Sequence, residues 1–152
     1  MVFLFMLELP NIYRICHNIL MNTRLLKILM LATDLGFVAY WLITIAHVIP
    51  PDMLFRDYSS PIIVHWNWSF LPLDLLISAT GISSLLLMKR GNPAWRQLAI
   101  VSLTFTFVSG LQAIAFWAIA GDFDPWWWGP NLFLMVYPLF FLPRLIFKPK
   151  LG

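Results

Sequence analysis

The chain has 152 residues, 61% hydrophobic and 11% charged, with a mean hydropathy of +0.80; soluble domains carry roughly a quarter charged residues, so water is not its main solvent. The net charge of +3 comes from basic residues scattered along the chain, which excludes the clustered basic face of a nucleic-acid-binding protein. A single cysteine, Cys16, excludes an intramolecular disulfide and any Cys-x-x-Cys redox or zinc site.

The first twenty residues are apolar but hold Glu8, Pro10, Asn11, Arg14, His17 and Asn18, so no unbroken span of ~20 residues runs through them. Their apolar stretch precedes Arg14, the reverse of a signal peptide. Residues 1–20 are read either as an interfacial amphipathic segment or as an extension ahead of a start at Met21 or Met30. Residues 21–152 form the membrane domain. Its first span covers about 25–48, from beside Arg24 and Lys27 to the helix-ending Pro50-Pro51 pair. A loop follows from Pro50 to His65, in which Pro61 can start a short apolar re-entry, and then comes Trp66-Asn67-Trp68-Ser69, a cluster suited to headgroup depth.

The second span, about 70–88, stops at the basic turn Lys89-Arg90-Gly91-Asn92-Pro93, and the third covers about 95–120. Between the third and fourth spans lie two acids and Trp126-Trp127-Trp128, expected to anchor at the interface. The fourth span, about 131–147, contains Pro138 and Pro143, which bilayer helices tolerate when neighbours satisfy the freed carbonyls. The expected fold is therefore all-α: a polytopic, four-transmembrane-helix up-down bundle. Of ten basic residues only Arg56 falls in a loop on the far side, so the positive-inside bias predicts cytoplasmic N- and C-termini in a cell membrane.

Two acids fall inside these spans. Asp34 lies seven residues beyond Lys27, about 10 Å along the first helix, and Asp74 eight residues past Trp66, about 12 Å along the second from the other side. Ionised carboxylates at such depth cost about 2.5–3.5 kcal/mol, so each is expected either to hydrogen-bond across helices or to form a ligand or proton site. Their different depths argue against a shared-proton pair. Asp74, Ser78, Gly81 and Ser84 or Leu85 share one helical face. Ser102, Thr106, Ser109, Gly110 and Ala113 provide small or hydroxylated residues in the third span, as close helix packing requires. The alternative is a polar cavity, into which Gln112 and Trp117 point and Tyr40 reaches from the first span.

The candidate ligand or proton site is thus Asp34, Tyr40, Asp74, Ser78 and Gln112, beneath a rim of Trp66, Asn67, Trp68, Trp126, Trp127 and Trp128. His47 and His65, even with Asp52 or Asp57, match no zinc-ligand spacing, so no metal is expected. No nucleophile elbow, phosphate loop or His-Glu-x-x-His helix occurs, so neither catalytic residues nor a cofactor are expected.

The stretches Thr33-Asp34-Leu35-Gly36-Phe37-Val38-Ala39-Tyr40-Trp41 and Trp66-Asn67-Trp68-Ser69-Phe70-Leu71-Pro72-Leu73-Asp74 resemble those of the YvaD-like family, small four-helix membrane proteins of bacilli and related bacteria. The resemblance covers roughly residues 25–147. It implies the four-helix topology and a bacterial cell membrane, and brings no activity with it. The expected function is non-enzymatic binding of a small amphipathic ligand, a lipid or a partner helix within the bundle; the alternative is a small proton-coupled transporter using an intramembrane carboxylate. The expected partners are the lipid bilayer, such a ligand or membrane protein, and a second copy of the chain, with no nucleic acid.

Overall fold

The computed structural model describes residues 23–48, 50 and 60–147, and its secondary structure there is entirely helical. The expectations for residues 1–20 lie outside the described residues. Five helices follow in order: α1 (Thr23–Ile45), α2 (Pro61–Trp68), α3 (Leu71–Lys89), α4 (Trp95–Ile119) and α5 (Pro125–Phe147). With α2 and α3 taken as one run, four helices are long and apolar enough to cross a membrane.

Two span boundaries differ from those expected. The second run begins at Pro61 rather than Phe70, because Pro61 sits in the first turn of α2, where its missing N–H costs nothing. The break between α2 and α3 coincides with Pro72, which cannot donate to the carbonyl four residues back. The last run begins at Pro125 rather than Asn131. Asp124 caps it, its Oδ1 accepting the Trp126 N–H at 2.9 Å, so the three tryptophans form the first turn of α5 and not a turn-rich loop.

Helices α1, α3 and α4 end alike. In each, a residue with positive φ turns the chain while the next residue's N–H bonds back five residues to a helical carbonyl: Val48 to Ile43, Asn92 to Leu87 and Asp122 to Trp117. Glycine supplies that conformation at Gly91 (φ 67°) and Gly121 (φ 69°), whereas α1 uses His47 (φ 49°).

Neighbours in the chain are neighbours in space: α1 packs on α3, α3 on α4 and α4 on α5. The expected small-residue faces make these contacts. Ser78, Gly81 and Ser84 are buried on α3, and Ser102, Thr106, Ser109, Gly110 and Ala113 on α4. A Cβ at Gly110 would lie 2.6 Å from the Asn131 carbonyl oxygen and from the Met135 nitrogen, so α5 approaches α4 to backbone contact there. Hydroxyls bridge the same seams, Ser84 Oγ donating to the Trp95 carbonyl at 2.7 Å and Ser102 Oγ to that of Ile77 at 3.3 Å.

At the end of the bundle holding the 90–94 turn, Leu26 and Met30 of α1 join Ala99, Leu103, Tyr137, Phe141 and Leu145 in an apolar core. The outward faces are also apolar, with Leu42 63% and Ile62 75% exposed. So much exposed apolar surface is unfavourable in water and suits a hydrocarbon solvent.

Candidate functional site

The two acids within the apolar helices are placed by the register of α1 against α3. Trp41 Nε1 donates to Asp74 Oδ2 at 3.0 Å. Two turns along each antiparallel helix, about 10 Å away, the Asp34 carboxyl lies on Gly81, where an added Cβ would be 2.6 Å from its Cγ. Ser78 Oγ donates to the Asp34 backbone carbonyl at 3.0 Å and ties the helices together between these points. Each helix thus carries one acid facing the other helix, and the two carboxyls sit at different levels.

Their surroundings differ. Asp74 accepts from Trp41 on one oxygen and from Ser109 Oγ on the other, at 3.2 Å, and it lines a cavity. Asp34 is only 1% exposed, its Oδ2 has no hydrogen-bond partner, and the neighbouring Thr33 Oγ1 likewise makes none. The Tyr137 hydroxyl faces those of Thr33 and Thr106 on the same side of the bundle.

The cavity holds about 440 Å³ and is partly open, within the range of small-ligand sites. One wall is α1, from Ala32 to Trp41, and the facing wall is α5, with Trp126, Trp127, Pro130, Asn131, Phe133 and Leu134. Residues of α2, α3 and α4, with Phe70 between α2 and α3, supply the back: Trp66, Asn67, Phe70, Asp74, Ser109, Ala113 and Trp117. Helices α1 and α5 are joined in the core at one end and separated by this cavity nearer the other.

Aromatic rings hold the back wall in shape. Trp66 stacks on Phe116 with centroids 4.2 Å apart and meets Trp117 edge-on at 5.3 Å, while Tyr40 meets Trp41 edge-on at 5.1 Å. The Tyr40 hydroxyl donates to Asn67 Oδ1 at 2.9 Å. That bond leaves Asn67 Nδ2 without an acceptor, and Trp66 Nε1 and Trp117 Nε1 are also buried without one. These three donors lie in side chains of the cavity wall, with their nitrogens buried in the packing behind it.

Of the five expected site residues, the structure brings Tyr40 and Asp74 to the cavity. Ser78 serves the α1–α3 seam, and Asp34 lies against Gly81, away from the cavity lining. Gln112 is exposed and does not join the lining; Ser109, Ala113 and Trp117, spaced by four, define the inward face of α4, and Gln112 is turned off it by one residue. The rim is split. Asn67 is buried and Trp66 is packed among rings at the back of the cavity, whereas Trp126 is 86% exposed. Trp41, Ser109 and Asn131 were not singled out as site residues, although Trp41 follows Asp34 by seven and so shares its face. Among the described residues no three His, Cys, Asp or Glu side chains cluster to hold a metal ion.

A model of a family of unknown function, DUF5360, matches residues 26–150. The chain is also similar to the uncharacterised protein YvaD of Bacillus subtilis (strain 168), with 45% identity over 123 residues, covering 81% of this chain and 92% of that protein. No solved structure matches.

Proposed function

The chain belongs to this family of unknown function, and from the geometry of its cavity we propose that it is a non-enzymatic, multi-pass protein of the cell membrane that binds an amphipathic molecule between α1 and α5. The observation that carries this reading is the pairing of apolar walls with an acid in one space: the lining is mostly apolar, yet Asp74 belongs to it. An apolar portion of the ligand fills the ring-lined volume, and a polar end meets Asp74. The gap between α1 and α5 gives a lipid-dissolved molecule a lateral way in. Scattered cationic residues at the 89–96 turn, set against Asp122 and Asp124 at the other, support cytoplasmic termini.

Gly36 gives a clean test, because it lines the cavity and a Cβ there meets nothing within 4 Å. Gly36→Leu is therefore expected to occupy part of this space without a clash at its Cβ. Native mass spectrometry of wild-type protein, gently released from detergent, is expected to show a retained molecule of lipid or metabolite mass that Gly36→Leu lacks. Equal spectra from two folded proteins would rule the cavity out as a binding site.

A further inference from the structure

The cavity's charge pattern narrows the ligand further. Of the described residues that line it, Asp74 is the only Asp, Glu, Lys, Arg or His, and nine of the nineteen are aromatic. Resting on the reading of the cavity as a binding site, we propose that its ligand is an organic cation, an ammonium or similar onium group carried on an apolar body.

Three features converge on this. The Asp74 carboxyl accepts one bond on each oxygen, from Trp41 and from Ser109; a carboxylate has about four acceptor positions, so half of its capacity is left for a further donor or a cation. Both protein donors are neutral, so they orient the carboxylate without cancelling its charge. The Trp41 N–H bond to Asp74 lies in the plane of the indole ring, which is itself held in place by Tyr40 and Trp68. Tyr40, Trp66 and Trp117 line the same cavity, and a cation against such rings gains up to about 2 kcal/mol when desolvated. An anion entering the same space meets a carboxylate and ring faces of its own sign and no basic side chain in the lining. Charge complementarity, rather than volume, thus selects the ligand class.

Three probes of similar shape separate the effects: tetraphenylphosphonium, a cation; tetraphenylborate, an anion; and triphenylphosphine oxide, which is neutral and carries an oxygen acceptor. Binding to the purified full chain in a nonionic detergent is measured by equilibrium dialysis, with empty micelles subtracted. The phosphonium ion is expected to bind saturably and at least about ten-fold more tightly than the borate, the size of one desolvated cation–ring contact. Asp74→Asn, which keeps the shape, is expected to weaken phosphonium binding by about ten-fold and to leave the phosphine oxide unchanged. Gly36→Leu is expected to abolish binding of all three. Borate binding as tight as phosphonium binding in the wild-type protein overturns the proposal without need of any variant. So does an unchanged phosphonium affinity in Asp74→Asn. If the phosphine oxide binds as well as the phosphonium ion, the cavity is a binding site without charge selection. If no probe binds saturably, the cavity reading and the proposal fall together.

Discussion

The carboxyl of Asp34 occupies the space that any side chain on Gly81 would need, since a Cβ built there lies 2.6 Å from Asp34 Cγ. A buried acid and a glycine two helices apart in sequence are therefore one structural unit. Gly81→Ala must displace the carboxyl from a site where it is 1% exposed, and it is expected to destabilise the protein by about 1–3 kcal/mol, the usual cost of overpacking a core. Asp34→Ala removes the obstacle. The double variant is then expected to be more stable than the sum of the single effects by about 1 kcal/mol or more, as for residues in direct contact. Thermal unfolding of the four proteins in detergent measures this, and strict additivity would show that the two residues do not share the space.

Gly110 and Gly129 provide a matched pair. A Cβ at Gly110 meets backbone atoms of α5 at 2.6 Å, and one at Gly129 meets nothing within 4 Å. Backbone cannot rotate away as a side chain can, so Gly110→Ala is expected to force α4 and α5 apart and to cost about 2 kcal/mol or more. Gly129→Ala is expected to stay within about 1 kcal/mol of neutral, because alanine is the better helix former while Pro130 restricts the residue before it. Comparable losses at both positions, read from the same melts, would contradict the close α4–α5 approach.

Trp41 and Ser109 both donate to Asp74, at 3.0 and 3.2 Å, but they do not hold it equally. Trp41 is 2% exposed, sits where α1 meets α3, and contributes the shorter bond. Trp41→Phe keeps a ring in place but strips one carboxylate oxygen of its donor, with an expected loss of about 1.5–3 kcal/mol, typical of a bond to a charged group. Ser109→Ala is expected to cost only about 0.6 kcal/mol, the average for a hydrogen bond between membrane helices. A larger loss from Ser109→Ala than from Trp41→Phe would reverse the assignment of Trp41 as the main support of Asp74.

The four apolar runs were legible in the sequence because about 20 apolar residues between basic turns have few other folds available. The small faces of α3 and α4 were legible too, since spacings of three and four put Ser78, Gly81 and Ser84, or Ser102, Thr106 and Ser109, on one side of a helix. The register of α1 on α3 was not, because periodicity gives a helix's face but not its sliding position along a partner. That sliding position decides that Asp74 meets Trp41 while Asp34 meets Gly81. The placement of Trp66 and Asn67 at the back of the cavity was missed for a related reason. Hydropathy alone makes the cluster a rim preceding a helix, whereas Pro61 in a first turn places it inside α2. Asp124-Pro125 carried a comparable signal for the start of α5, a capping acid followed by the residue best suited to a first turn.

The orientation of the bundle yields to labelling. The turn between α3 and α4 is flanked by Lys89, Arg90 and Arg96, and the turn between α4 and α5 carries Asp122 and Asp124. A single bilayer crossing by α4, which its length and apolarity allow, would put these turns on opposite sides, and the positive-inside bias predicts the basic one in the cytoplasm. Asn92 and Phe123 are exposed in the two turns, and Cys16 is the chain's only cysteine, so a Cys16→Ser background permits one label at a time. Asn92→Cys is expected to resist a membrane-impermeant maleimide on intact cells and to react after permeabilisation, whereas Phe123→Cys is expected to react before it. The cavity lies nearer the turn carrying Phe123, because its α5 wall begins at Trp126 while the core that closes α1 on α5 lies toward the 90–94 turn. Labelling of Phe123→Cys from outside would thus also place the wide end of the cavity toward the cell exterior. Labelling of Asn92→Cys from outside instead would invert the bundle and turn the cavity toward the cytoplasm.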